Sequence, residues 1–168
     1  MKKHDLFLKF MGMVFVISIF LSGTGCATKS AFKGKADLCG MVVDENNCPL
    51  QDFVISYKRG MEVKTVNTNS SGIFVVNDVQ CGEFYLKGEK SGYVRIDEKK
   101  NDFNDRTRLL CFQVSSIDVV LGRIEALIKN CQYKEALEML LTVSTANNSN
   151  EDKVFMAYKD FLQEKLEK

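Results

Sequence analysis

Six cysteines and one histidine are the residues of this 168-residue chain best suited to covalent or metal chemistry. The histidine, His4, stands beside Lys2, Lys3 and Lys9 in a basic N-terminal segment of the kind removed on export. Without it no imidazole remains for a Ser-His-Asp or Cys-His nucleophile, or for a histidine zinc ligand. Cys39, Cys48, Cys81, Cys111 and Cys131 form no CxxC pair and no short ligand spacing, so no metal site is expected. In an exported chain they are either disulfide partners or small buried apolar side chains. Five is odd, so bridging leaves at least one thiol free or paired between chains. Asp44, Glu45, Asn46 and Asn47 put four oxygen-bearing side chains into one turn, as calcium would need, but without EF-hand spacing. Asp97, Glu98, Asp102 and Asp105 offer carboxylates for acid–base work, yet they lie among lysines in DEKKNDFNDR, which reads as a solvated loop. Tyr57, Tyr85 and Tyr93 are candidates to stack on sugar rings. No catalytic residue and no cofactor is expected.

The elements that would carry these residues begin with an export signal. After the basic start, residues 10–21 are apolar or small, a 12-residue run too short for a membrane span of about 20. Ser22-Gly23-Thr24-Gly25-Cys26 follows and resembles the bacterial lipoprotein signal. The resemblance implies a signal peptide over 1–25 and a diacylated Cys26 as the new N-terminus, attached to the cell membrane or outer membrane. Two acyl chains hold stably where one is marginal, each buried methylene contributing about 0.8 kcal/mol. Ordinary cleavage after Ala27 or Ala31, releasing an unacylated protein, is the other reading.

Charge narrows the partners. The chain has 23 basic and 22 acidic residues, and loss of residues 1–25 removes Lys2, Lys3, Lys9 and Asp5, leaving it near −1. With no basic excess to neutralise phosphates, nucleic acid is not an expected partner. The 45% apolar content suits a packed core.

Residues 26–36, ATKSAFKGKA after the cysteine, are small, basic and aperiodic, as a tether would be. From 37 to 116 the pattern is short strands broken by Gly, Asn and Asp: LCGMVV, FVISYKR, EVKTVNT, IFVVN, FYLKGEK, YVRID and RLLCFQV. Seven such runs at strand-length spacing predict an antiparallel β-sandwich. The stretch also resembles the carboxypeptidase regulatory-like domain, a transthyretin-like sandwich, over about residues 37–100. Its marks are Gly40 and Val42 before Asp44, Pro49-Leu50, Thr68-Asn69 before Gly72 and Phe74, then Val79, Gly82, Phe84 and Gly92-Tyr93. The resemblance implies a non-catalytic accessory domain. It also implies that the first strand pairs antiparallel with the fourth, which suggests a Cys39–Cys81 disulfide at one end of the sandwich.

Residues 117–168 change period. Ile117, Val120, Leu121, Ile124, Leu127 and Ile128 make one helical stripe; Tyr133, Ala136, Leu137, Leu140 and Leu141 make a second; Phe155, Tyr158, Phe161, Leu162 and Leu166 make a third. Ser115 or Ser116 can cap the first helix, and Ser149 or Asn150 the third. CQYKEALEMLLTVSTANN resembles the second helix of a tetratricopeptide repeat, but a helical hairpin plus a third helix is expected rather than an array. The expected class is therefore α+β: a seven-stranded sandwich followed by a short helical segment. The expected role is a membrane-anchored envelope module that binds or scaffolds another protein. A tethered carbohydrate-binding module is the alternative.

Overall fold

The computed structural model describes residues 32–145 and 150–167. Cys26, the signal segment and most of the expected tether lie outside these residues, as does Ser149. Seven strands are present: β1 Lys35–Val43, β2 Val54–Arg59, β3 Glu62–Asn67, β4 Ile73–Gln80, β5 Gly82–Glu89, β6 Ile96–Phe103 and β7 Leu109–Gln113. They form a three-stranded sheet, β4-β1-β7, and a four-stranded sheet, β3-β2-β5-β6. Every pairing is antiparallel except β1 with β7, which is parallel. The expected α+β class and the seven-stranded sandwich are both present, with that one parallel pair in an otherwise antiparallel design.

Strand alternation fills the space between the sheets. Leu38, Val42, Phe74, Val76, Val79 and Leu110 point in from one sheet; Phe53, Ile55, Tyr57, Phe84, Leu86 and Phe103 point in from the other, and all are buried. Tyr57 and Phe84 stack at 5.4 Å between ring centroids.

The spaced motif residues are the joints of this core. Thr68 is buried; its hydroxyl donates to the Leu50 carbonyl at 2.5 Å and accepts from the Phe53 amide at 2.9 Å. Asn69 Oδ1 accepts from the amides of Ser71 and Ile73, closing the next turn. Gly72 sits at φ +71°, and a Cβ there would meet the Val42 carbonyl oxygen at 2.5 Å, so only glycine fits.

Two boundaries differ from the sequence expectation. Residues 93–97 were expected as a strand and DEKKNDFNDR as a loop, but β6 occupies Ile96–Phe103. As the edge of the four-stranded sheet, β6 pairs on one side only, so its row of charges stays in water while Phe103 reaches the core. At the N-terminus, β1 begins at Lys35, and Phe32 packs edge-on against Phe103 at 5.0 Å. The last part of the stretch expected as a tether is therefore folded.

Three helices follow: α1 Ile117–Lys129, α2 Tyr133–Leu141 and α3 Asn150–Leu166. Ile117, Val120, Ile124, Ala136, Leu140, Phe155 and Leu162 form a second core, separate from that of the sandwich. Polar ties join the two. The Ile117 amide donates to the Gly92 carbonyl, the Val94 amide to Ser115, and the Arg95 amide to Ser144. The Ser144 hydroxyl donates to Asp97.

Candidate functional site

The outer faces of the two sheets differ in chemistry. On β4-β1-β7 the residues facing away from the core are Cys39, Met41 and Val43 on β1, Ile73 and Val75 on β4, and Leu109 and Cys111 on β7. In register, Cys39 stands between Val75 and Leu109, while Met41 stands between Ile73 and Cys111. These residues form one continuous patch without a charged side chain. Ile73 is 40% exposed, Val75 39% and Leu109 52%. The patch is bounded on the same parity of β1 by the charged, exposed Asp37 and Lys35, and elsewhere by the polar Asn77 and Gln113.

The outer face of β3-β2-β5-β6 is charged. Lys58 pairs with Glu98 at 3.8 Å and Lys100 with Glu83 at 2.7 Å. Donation of a hydrogen bond to the Glu83 carboxylate holds the Lys100 ammonium above the usual lysine range. Tyr85 lies among Ser56, Lys58, Lys87 and Glu98 in a shallow depression of about 260 Å³. It keeps 42% exposure.

Of the tyrosines considered for sugar stacking, Tyr85 presents an exposed ring and Tyr93 is half-buried, with Lys90 5.7 Å from its ring centroid. Tyr57 is corrected: it is fully buried because it shares the inward parity of Phe53 and Ile55. Burial pushes its phenol above the usual tyrosine range.

The Asp44–Asn47 turn is spent on structure. Asp44 Oδ1 accepts from the amides of Asn46 and Cys48, both at 2.8 Å. Asn47 Oδ1 accepts from Gln113. Glu45 reaches the start of α1, where its carboxylate accepts from the Ser116 amide at 2.9 Å and hydroxyl at 3.2 Å. The Ser116 amide bond holds Glu45 below the usual carboxylate range. Sequence reasoning missed this cap, because its partners are 71 residues apart.

The four carboxylates considered for acid–base work are dispersed along and beyond β6. Asp97 takes Arg95 and Ser144, Glu98 takes Lys58, Asp102 accepts from Asn104, and Asp105 accepts from Thr107. Among the described residues, no group of three or more His, Cys, Asp or Glu side chains is placed to hold a metal ion.

Cys39, Cys48, Cys81, Cys111 and Cys131 are all free thiols. The expected Cys39–Cys81 bridge is corrected by strand register. Cys39 pairs with Val75, whereas Cys81 follows Gln80, which pairs with Lys35 at the other end of β1. At about 3.3 Å per residue the two thiols stand some 15–20 Å apart, beyond a disulfide's reach of about 7 Å. The expectation put Cys39 at the strand's start, but β1 begins four residues earlier.

Between α1 and α3 lies an open groove of about 460 Å³, with Ile128, Ala157 and Phe161 along it. Its Tyr158 hydroxyl donates to Glu125 at 2.5 Å, which raises the phenol's pKa. No helix among the described residues is long and apolar enough to cross a membrane.

No family model matches the chain, and no curated protein matches it. Among solved structures, the Bacillus anthracis TIE protein is 21% identical over 49% of this chain and 17% of its own, with a TM-score of 0.45. A streptococcal ancillary pilin is 16% identical over 50% of this chain and 30% of its own, with a TM-score of 0.41. The 3-chlorocatechol 1,2-dioxygenase of Rhodococcus opacus is 10% identical over 51% of this chain and 61% of its own, with a TM-score of 0.39. The chain thus spans less than a third of the first two proteins and under two thirds of the third. Similarity of this degree assigns neither a family nor an activity.

Proposed function

We propose that the chain is a non-catalytic module of the bacterial cell envelope that binds or scaffolds another protein, held at a membrane through a diacylated Cys26. The observation that carries the binding role is the apolar patch on the outer face of β4-β1-β7, with Ile73, Val75 and Leu109 left in water. Scattered apolar residues are ordinary on a surface, whereas these stand side by side in register across three strands, which favours a small, transient contact surface. The carboxylates and turn oxygens already serve structural contacts, which favours binding over catalysis and calls for no cofactor.

Affinity capture from native membranes tests the binding role. A tagged full-length chain should retain an envelope protein or a second copy of itself, and Leu109→Lys should lose it. Equal retention by the variant refutes this use of the face. For the anchor, Cys26→Ser should shift the protein from membranes to the soluble fraction. Failure of the unaltered chain to take up labelled fatty acid removes that part of the proposal.

Exposed Tyr85, set among Ser56, Lys58, Lys87 and Glu98, supports a second reading: a tethered carbohydrate-binding module. A glycan panel decides it. Binding that Tyr85→Ala abolishes would support this reading, and no binding to any glycan would end it.

A further inference from the structure

We infer that Cys39, Met41 and Cys111 form a soft-metal site on the outer face of β1 and β7, a set of three sulfurs suited to a Cu(I) ion held as cargo. The inference goes beyond the protein-binding reading and does not depend on it. In the parallel register of β1 with β7, Met41 stands opposite Cys111, and Cys39 opposite Leu109. Leu38, Gly40 and Val42 alternate with Cys39 and Met41 and are buried, so these two share the outward side with Cys111. Cys39 and Met41 are half-buried and Cys111 is exposed, which puts the set at the surface.

Spacing sets what the sulfurs can hold. Neighbouring strands lie about 4.8 Å apart and residues two apart on one strand about 6.6 Å, so the Cys39 and Cys111 backbones stand on the order of 8 Å apart. That diagonal exceeds the roughly 7 Å limit for a disulfide, whose sulfurs must close to about 2 Å. A metal ion relaxes the demand, because two thiolate bonds of about 2.3 Å leave the sulfurs as much as about 4.6 Å apart. Met41 occupies the corner next to both thiols, and its flexible side chain lets the thioether make a third contact. The donor types select the metal. Thiolate and thioether sulfur prefer soft Cu(I), whereas structural zinc takes four ligands from Cys, His, Asp or Glu. Among the described residues no three of those four types are placed to share an ion. Asp37, two positions before Cys39 on the same parity, already accepts from the Asp78 amide at 3.2 Å. The side chains beside the sulfurs, Ile73, Val75 and Leu109, supply no oxygen or nitrogen ligand. No redox step is involved: the ion enters as Cu(I), and each thiol that ligates it gives up its proton.

Protection of thiols in the unaltered full-length chain tests the site. Reduced protein would receive one equivalent of Cu(I) under argon, then a brief maleimide treatment, and the labelled cysteines would be mapped by mass spectrometry. Cu(I) should slow labelling of Cys39 and Cys111 together by at least about tenfold, because a ligated thiolate is no longer a free nucleophile. Cys48 and Cys131, both exposed, should label as before. Competition for Cu(I) with bicinchoninate gives a second measure. Cys39→Ser or Cys111→Ser should cost at least the roughly 10–100-fold in affinity that even an outer partner of a metal site carries. Cys48→Ser should cost nothing. Protection of only one of the pair, equal protection of Cys48 and Cys131, or none at all overturns the site, as does Cu(I) affinity unchanged by both serine variants. Equal protection by Zn(II) overturns the choice of Cu(I). Membrane capture lost with Leu109→Lys reads the protein-binding role separately, since Leu109 is not a ligand.

Discussion

The two sheets share one core and present opposite surfaces. The four-stranded sheet guards its edges with β3, EVKTVN, and β6, IDEKKNDF, and crosses its outer face with lysine–glutamate pairs. The three-stranded sheet ends in β4, which begins IFVVN, and β7, LLCFQ, with no charge in either stretch. Edge strands invite unwanted pairing, and charge is the usual defence. On β4 the defence is confined to the far end, where Lys64 Nζ donates to the Asn77 carbonyl and Asp78 bulges at φ +55°. The two outer faces therefore differ in charge: one is crossed by ion pairs, and the other is apolar between Asp37 and Gln113.

The contrast between faces is sharpest within β4, where one residue changes everything. Phe74→Ala should cost about 3–5 kcal/mol, because its ring fills the core. Val75→Ala, its outward neighbour, should cost less than about 1 kcal/mol. Urea unfolding of both variants measures the difference, and equal losses would mean that the outer face is packed as tightly as the inner.

Next in size is the joint between the sheets' connecting loops. Thr68→Val keeps the shape but leaves the Phe53 amide and the Leu50 carbonyl without their partner, at about 2 kcal/mol. Replacing Asn69 by Ala in the exposed turn beside it should cost less, about 1 kcal/mol. A reversed order in thermal unfolding would place the weight of the joint in the turn instead.

A charge placed on each outer face tests the comparison directly. Thr65→Lys on β3 should leave both stability and capture of the proposed partner unchanged, while Val75→Lys on β4 should remove capture with stability held within about 0.5 kcal/mol. Affinity capture from native membranes reads the binding, and denaturant melts read the stability.

The smallest expected effect is a pH dependence at the link from sandwich to helices. Glu45 titrates lower when folded than when unfolded, because the Ser116 amide stabilises its charged form. Its stabilisation is therefore complete above the unfolded value, near the usual carboxylate pKa, and is lost as pH falls through the lower folded value. Helical circular dichroism should weaken slightly as pH falls below about 4, the ordinary carboxylate range. Glu45→Gln should lower the helical signal at neutral pH and flatten that step. An unchanged step in the variant would assign it to other carboxylates.

Much of the sandwich was legible because a strand buried on one face shows a period of two. Phe53, Ile55 and Tyr57, or Phe84 and Leu86, announce their strands by alternation alone. β6 was hidden, since an edge strand carrying DEKKN contributes little to the core and so shows no apolar period. The bare face was hidden for the opposite reason. CGMVV, IFVVN and LLCFQ are apolar on both parities, a pattern that ordinarily means burial on both sides, and only the fold shows that nothing among the described residues covers one of them.

The sequence by itself determined the strand and helix content, the lack of any histidine beyond position 4 and the near-neutral charge. Each follows from composition or from contacts between near neighbours in the chain. Tertiary structure decided which thiols stand apart, which tyrosine is buried, that Glu45 caps a helix 71 residues away and that one sheet keeps an apolar patch in water. Those depend on register and sheet order, and register is set by how whole strands fit against one another, not by any one of them alone.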